Sequence, residues 1–111
     1  MVAGLALFSA GCSTGPGHPV ELRVEPGAVS TRIRLVPAPG WRINALLPPA
    51  FERAGGSVIR LAAGRVSADS AYYVEPPAAT LPGVHRTLRG TIRASICAEG
   101  EQVCRPYVAQ F

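Results

Sequence analysis

The residues of this chain with the most distinctive chemistry are its three cysteines, Cys12, Cys97 and Cys104. The second and third stand in the C-terminal stretch GTIRASICAEGEQVCRPYVAQF, with six residues between them. Two thiols so spaced can close a disulfide, and a disulfide either braces a fold or exchanges electrons with the thiols of a partner. In exchange a thiolate attacks a partner disulfide, a mixed disulfide forms, and the second cysteine resolves it. Other chemistries lack their parts. A metal site needs ligands beyond two cysteines, and His18 sits in a tether while His85 stands alone as a surface or rim histidine. There is no GxSxG and no paired-carboxylate arrangement, and Gly55-Gly56 lacks the Lys and Ser/Thr of a phosphate loop. No cofactor is expected.

The elements that must position the pair are two strands. Ile92, Ala94 and Ile96 alternate with Thr91, Arg93 and Ser95, the period of a half-buried strand that ends at Cys97. Ala98 to Val103 make a polar link, and Cys104 opens a return strand through Tyr107, Val108 and Phe111. A two-residue type II′ turn at Gly100-Glu101 sets Glu99 against Gln102 and Cys97 against Cys104. The cysteines are then a hydrogen-bonded pair of the ladder, whereas a four-residue turn makes them a non-hydrogen-bonded pair, where a bridge fits better. Arg105, next to Cys104, offers a weak electrostatic lever on a thiolate. Which cysteine attacks stays open, the more exposed sulfur of lower pKa being the candidate. So does the choice between staple and switch. Closing a loop of about eight residues supplies roughly 2.5 kcal/mol of chain entropy, less than a bridge between distant strands would give.

With 111 residues, 48% of them apolar, there is room for one domain with a modest core. Twelve glycines and eleven prolines are spread between short apolar runs, as in strands joined by turns. Every basic residue is Arg, which reads as the composition of a GC-rich bacterial genome before it reads as function. The net charge of +4 invites a nucleic-acid reading. Yet Arg23, Arg32, Arg34, Arg60, Arg89 and Arg93 fall singly along strands, so they read as solvated faces and no nucleic-acid partner is expected. Strands are expected at Val20–Glu25, Arg32–Val36, Trp41–Asn44, Val58–Leu61 and Ala71–Val74, with a long one running from Val84. Leu46 to Phe51 should be a loop placing Leu47 and Phe51 on the core, Phe51 to Ala54 has room for a single helical turn, and Trp41 is a core residue. About seven short strands with turn signals between them make an all-β fold, an immunoglobulin-like antiparallel β-sandwich.

At the N-terminus, VAGLALFSA is an apolar run too brief to span a bilayer as a helix. Gly11-Cys12 and the polar tether Ser13 to His18 follow. Ala10, Gly11 and Cys12 resemble the lipobox of bacterial lipoproteins, with Ser9 where Leu is usual and no positively charged start. The resemblance makes residues 1–11 a signal-peptide remnant, Cys12 the lipidated residue of a tether over 12–18, and the membrane its anchor. The alternative is an N-terminal strand with a buried cysteine. If Cys12 carries lipid, Cys97 and Cys104 remain as one pair in an oxidising compartment, the bacterial periplasm.

Gly40-Trp41-Arg42-Ile43-Asn44 and the run from Cys97 to Pro106 resemble the N-terminal periplasmic domain of DsbD-type thiol:disulfide interchange proteins. The shared outline is an early strand pair, a Gly-aromatic-x-aliphatic strand, and a late strand ending in Cys, a short link, Cys, then Pro. It spans residues 19–111. The resemblance implies an immunoglobulin-like domain in which Cys97 and Cys104 are the redox pair. A membrane electron donor would reduce them, and they would pass electrons to periplasmic thioredoxin-like or disulfide isomerase proteins. It also implies an aromatic cap over the pair, for which Asp69-Ser70-Ala71-Tyr72-Tyr73 offers Tyr72 or Tyr73. The cysteine spacing is one residue longer than usual, and the family's membrane and thioredoxin-like domains have no counterpart here. The competing reading is a non-enzymatic envelope lipoprotein whose disulfide only braces the hairpin.

Overall fold

The computed structural model describes residues 18–111, so the apolar run, Cys12 and the tether before His18 lie outside the described residues. Eight strands follow in order: β1 (Val20–Pro26), β2 (Ser30–Pro37), β3 (Trp41–Ile43), β4 (Ala50–Arg53), β5 (Val58–Arg60), β6 (Ala78–Pro82), β7 (Gly90–Ala98) and β8 (Cys104–Gln110). All named pairings are antiparallel. The described residues contain no helix.

The strands form two sheets, β1-β2-β6 and a five-stranded sheet centred on β7. Alternation explains why they pack. In β1 and β2, Val20, Leu22, Ile33 and Leu35 are buried while Arg23 and Arg32 on the opposite faces are exposed. In the second sheet Ile43, Phe51, Ile92 and Ile96 point inward, and together with Leu61 and Leu81 these side chains make one core. Trp41 packs half-buried on its margin. The fold is an all-β sandwich of antiparallel sheets, as the spacing of apolar runs predicts.

Strand β7 is the axis of the larger sheet. One of its edges carries β8 from Thr91 to Cys97; the other carries β4 at Gly90–Arg93 and β3 at Ile96–Ala98. Its start is fixed by a close approach. A Cβ on Gly90 would collide with the Glu52 carbonyl oxygen and reach to 2.8 Å from the Phe51 ring, so only glycine lets β4 and β7 meet there.

Three local expectations are corrected, and one strand was not expected. Residues 50–53 are strand β4 rather than loop or helical turn, because Phe51 alternates with Ala50 and Glu52 and both edges are paired. Leu47 is exposed rather than in the core; the loop turns on an Asx bond from Leu46 N–H to Asn44 Oδ1 (2.9 Å) and buries Pro49 instead. The long strand begins at Gly90, not Val84. Residues 84–89 are irregular, with the His85 N–H held by Thr31 Oγ1 (2.8 Å) in a loop. Ala78–Pro82 is an edge strand, β6, that a run of small residues between prolines does not announce.

Candidate functional site

Cys97 and Cys104 are opposed across β7 and β8 and joined by a disulfide, with their Cα atoms 4.2 Å apart. The ladder fixes which kind of pair this is. Gly90 and Phe111 exchange both of their backbone hydrogen bonds (3.2 and 2.9 Å). Counting along the antiparallel register, Ala109, Tyr107 and Arg105 also face β7 in hydrogen-bonded pairs, while Pro106 and Cys104 stand in non-hydrogen-bonded ones. Pro106, lacking an N–H, occupies a position that needs none. The link between the strands differs from the two-residue turn at Gly100-Glu101. Glu101 N–H donates to the Ala98 carbonyl (3.1 Å), so Glu99-Gly100 form the turn, with Gly100 at φ 84°. The longer link preserves the Cys97–Cys104 register but makes the pair non-hydrogen-bonded, with the close Cα spacing that goes with it. A bridge there needs no distortion of the ladder. Any ease of reduction must come from what surrounds the sulfurs.

Which face carries the bridge follows from period two. Ile92, Ala94 and Ile96 point into the sandwich, so Thr91, Arg93, Ser95 and Cys97 point to the outer face of the larger sheet. On β8 the outer face holds Cys104, Pro106 and Val108, while Tyr107 packs on the core. Arg105 shares the inward-facing side, largely exposed, with its guanidinium 3.9 Å from Glu101 Oε1. It is therefore on the wrong side of the strand to face the cysteines, and the expected lever on a thiolate is not there.

The outer face is open at Arg93 yet closed at Ser95 and Cys97, which are 8% and 1% exposed; Cys104 is half-buried. The segment beyond β3 is what differs at this end. Tyr72 bridges to Asn44, and Tyr73 N–H and Ala45 N–H bond to the Ile43 and Ala71 carbonyls (3.0 and 2.8 Å). This leaves isolated bridges in place of the strand expected at Ala71–Val74. Across the outer face Tyr72, Asn44, Ser95 and Pro106 then form one row, with Asn44 Nδ2 donating to Ser95 Oγ (3.2 Å). Arg42, Cys97 and Cys104 form the next row. The Arg42 guanidinium lies 3.9 Å over the Tyr72 ring, and Nη2 makes a long bond (3.5 Å) to the Glu101 carbonyl in the turn. Of the two cap candidates, Tyr72 is on the side of the disulfide. Tyr73 packs on the core, where burial pushes its phenol pKa up.

Tyr72 is presented by a tightly bonded loop. Ser67 N–H donates to the Tyr72 carbonyl (2.7 Å), Ser67 Oγ accepts from the Ala71 and Tyr72 amides (3.2 and 3.1 Å), and Ser70 takes the left-handed conformation (φ 62°). The Ser67 hydroxyl (2.6 Å) and the Ala71 N–H (3.1 Å) both donate to Asp69 Oδ1 and hold that carboxyl below its ordinary value, with a smaller contribution from the Arg42 charge.

Next to the bridge, a groove of about 500 Å³ runs over the outer face from Pro106 past Val108 to Leu47, Pro48 and Val58, with Arg60 on its rim. His18 Nδ1 lies 3.3 Å from Tyr107 Oη, and His85 Nε2 lies 3.1 Å from the Pro82 carbonyl. The residues missed in the sequence are Arg42 and Asn44. Their alternation with Trp41 and Ile43 puts them on the outer face, but only the β3–β7 register places Arg42 beside Cys97. Comparisons with protein-family models, with curated proteins and with solved structures return no match.

Proposed function

We propose that this domain is a thiol:disulfide exchange module that passes electrons through Cys97 and Cys104. The supporting observation is where the bridge sits. It links neighbouring strands already held by their ladder, on the outer face of the larger sheet, with Cys97 buried and Cys104 half-buried. A bridge so placed closes a short loop and adds little to the closure of the sandwich. Because Cys104 is the less buried residue of the pair, a donor thiolate attacks its sulfur first. The S–S bond breaks, Cys97 leaves as thiolate, and the donor is joined to Cys104. The second thiolate of the donor then attacks the mixed disulfide, leaving the donor oxidised and the domain a dithiol; two electrons have moved. The reverse sequence reduces an acceptor disulfide.

Donor and acceptor fit the resemblance to the DsbD-type N-terminal domain: a membrane electron donor and periplasmic thioredoxin-like or disulfide isomerase proteins, with an immunoglobulin-like fold and Tyr72 as the shielding aromatic. Lipidation at Cys12 would hold the domain at the membrane in the periplasm. The complete burial of Cys97 favours a second reading, a non-enzymatic envelope lipoprotein in which the bridge braces the hairpin.

A Cys97→Ser/Cys104→Ser variant separates the two. Exchange predicts loss of electron transfer to a thioredoxin-like protein, with stability falling by no more than the roughly 2.5 kcal/mol that closing so short a loop supplies. A brace predicts earlier melting and no transfer by the parent protein.

A further inference from the structure

We propose that Arg42 stabilises Cys97 as a thiolate and thereby sets how readily the bridge opens, an inference that rests on the exchange reading. Three observations converge. First, Arg42 is the direct cross-strand neighbour of Cys97. Glu99 N–H bonds to the Gly40 carbonyl and Asn44 N–H to the Ser95 carbonyl (both 2.9 Å), so the Arg42–Cys97 pair between them is hydrogen-bonded and both side chains rise from the outer face. Second, the guanidinium is held between the Tyr72 ring and the Glu101 carbonyl, so the charge does not swing away into solvent. Third, Arg42 Nε is buried and has no hydrogen-bond partner among the described residues. A buried donor without an acceptor is costly. A disulfide sulfur accepts weakly, whereas a Cys97 thiolate supplies both an acceptor and an opposite charge.

The other charges around the bridge do not substitute for Arg42. Arg93, further down β7, lies 3.7 Å from Glu52. Arg105 is on the opposite face with Glu101, and Glu99 is an exposed turn residue. Asp69, on the loop beyond β3, is close enough for the Arg42 charge to act on its carboxyl, as the smallest of several effects there. Tyr72 completes the surround. Exchange needs a good leaving group at Cys97, and a thiol of lower pKa leaves faster.

The test compares wild type, Arg42→Met and Arg42→Lys, all in a Cys12→Ser background so that only the pair titrates. The reduced full chain is titrated by thiolate absorbance, and the bridge is equilibrated with dithiothreitol across about pH 6 to 9.5, spanning the ordinary thiol range. In wild type, one thiol titrates below the ordinary cysteine value. Arg42→Met raises it by about one unit, and Arg42→Lys retains most of the depression. The neutral thiol is indifferent to the guanidinium, so the dithiothreitol equilibria of wild type and Arg42→Met converge at the acid end. They separate by about tenfold, about 30 mV, once both proteins are fully ionised. A separation that is the same at every pH, or none at all, would overturn the proposal, the former marking a merely structural role. If the pH-dependent separation is present but the wild-type potential falls below about −300 mV, Arg42 keeps its role and the exchange reading fails alone.

Discussion

The two faces of β7 are buried by different means. The inner face, Ile92, Ala94 and Ile96, is covered by a second sheet, and its burial is shared among strands from the whole chain. On the outer face only Ser95 and Cys97 are closed off, where Arg42, Asn44 and Tyr72 gather beside a loop fastened to the edge of β3. The inner face is cooperative with the fold, while the outer cover is local and rests on a few hydrogen bonds and one cation–π contact. A site that must open to a partner belongs on the second kind of surface.

The comparison predicts a graded series. Phe51→Ala, which empties the core beside Gly90, should lower stability by about 3–5 kcal/mol in urea denaturation. Gly90→Ala, forcing a methyl against the Glu52 carbonyl and the Phe51 ring, should cost about 1–3 kcal/mol, with the disulfide still formed. Tyr72→Ala should change stability by about 1 kcal/mol or less, yet speed alkylation of the reduced cysteines by iodoacetamide. An unchanged alkylation rate would mean that Tyr72 does not cover the pair. The smallest effect concerns Asp69. Its folded pKa lies below the unfolded value, so its contribution is present above about pH 4 and lost as pH falls through the folded value. Protection of the Ala71 and Tyr72 amides against hydrogen exchange, relative to the intrinsic rate at each pH, should fall in that acid range before that of the core amides does.

Much of the inner face is legible in the sequence, because alternation of apolar and polar residues reports burial by a second sheet directly. Val20, Leu22, Ile33, Leu35, Ile43, Ile92 and Ile96 all follow it. The opposition of Cys97 and Cys104 was legible too, since the approximate length of the link constrains the register even when the turn type is misjudged. The outer cover was not. Arg42 is far in sequence from Cys97, and only the pairing of β3 with the end of β7 brings them side by side, whereas sequence adjacency pointed to Arg105 on the opposite face. β4 was hidden because Pro48-Pro49 and Gly55-Gly56 leave only five residues between them, four of which form the strand. Leu47 misled because an apolar residue in a loop carries no periodicity to say which way it faces.

The most direct measurement on the central claim is the reduction potential of the Cys97–Cys104 bond, by equilibration of the full chain against glutathione and dithiothreitol buffers. An exchange module should show a value between about −180 and −270 mV, within reach of thioredoxin-type partners. A value well below about −300 mV would contradict that claim and leave the bridge as a brace for the β7–β8 hairpin.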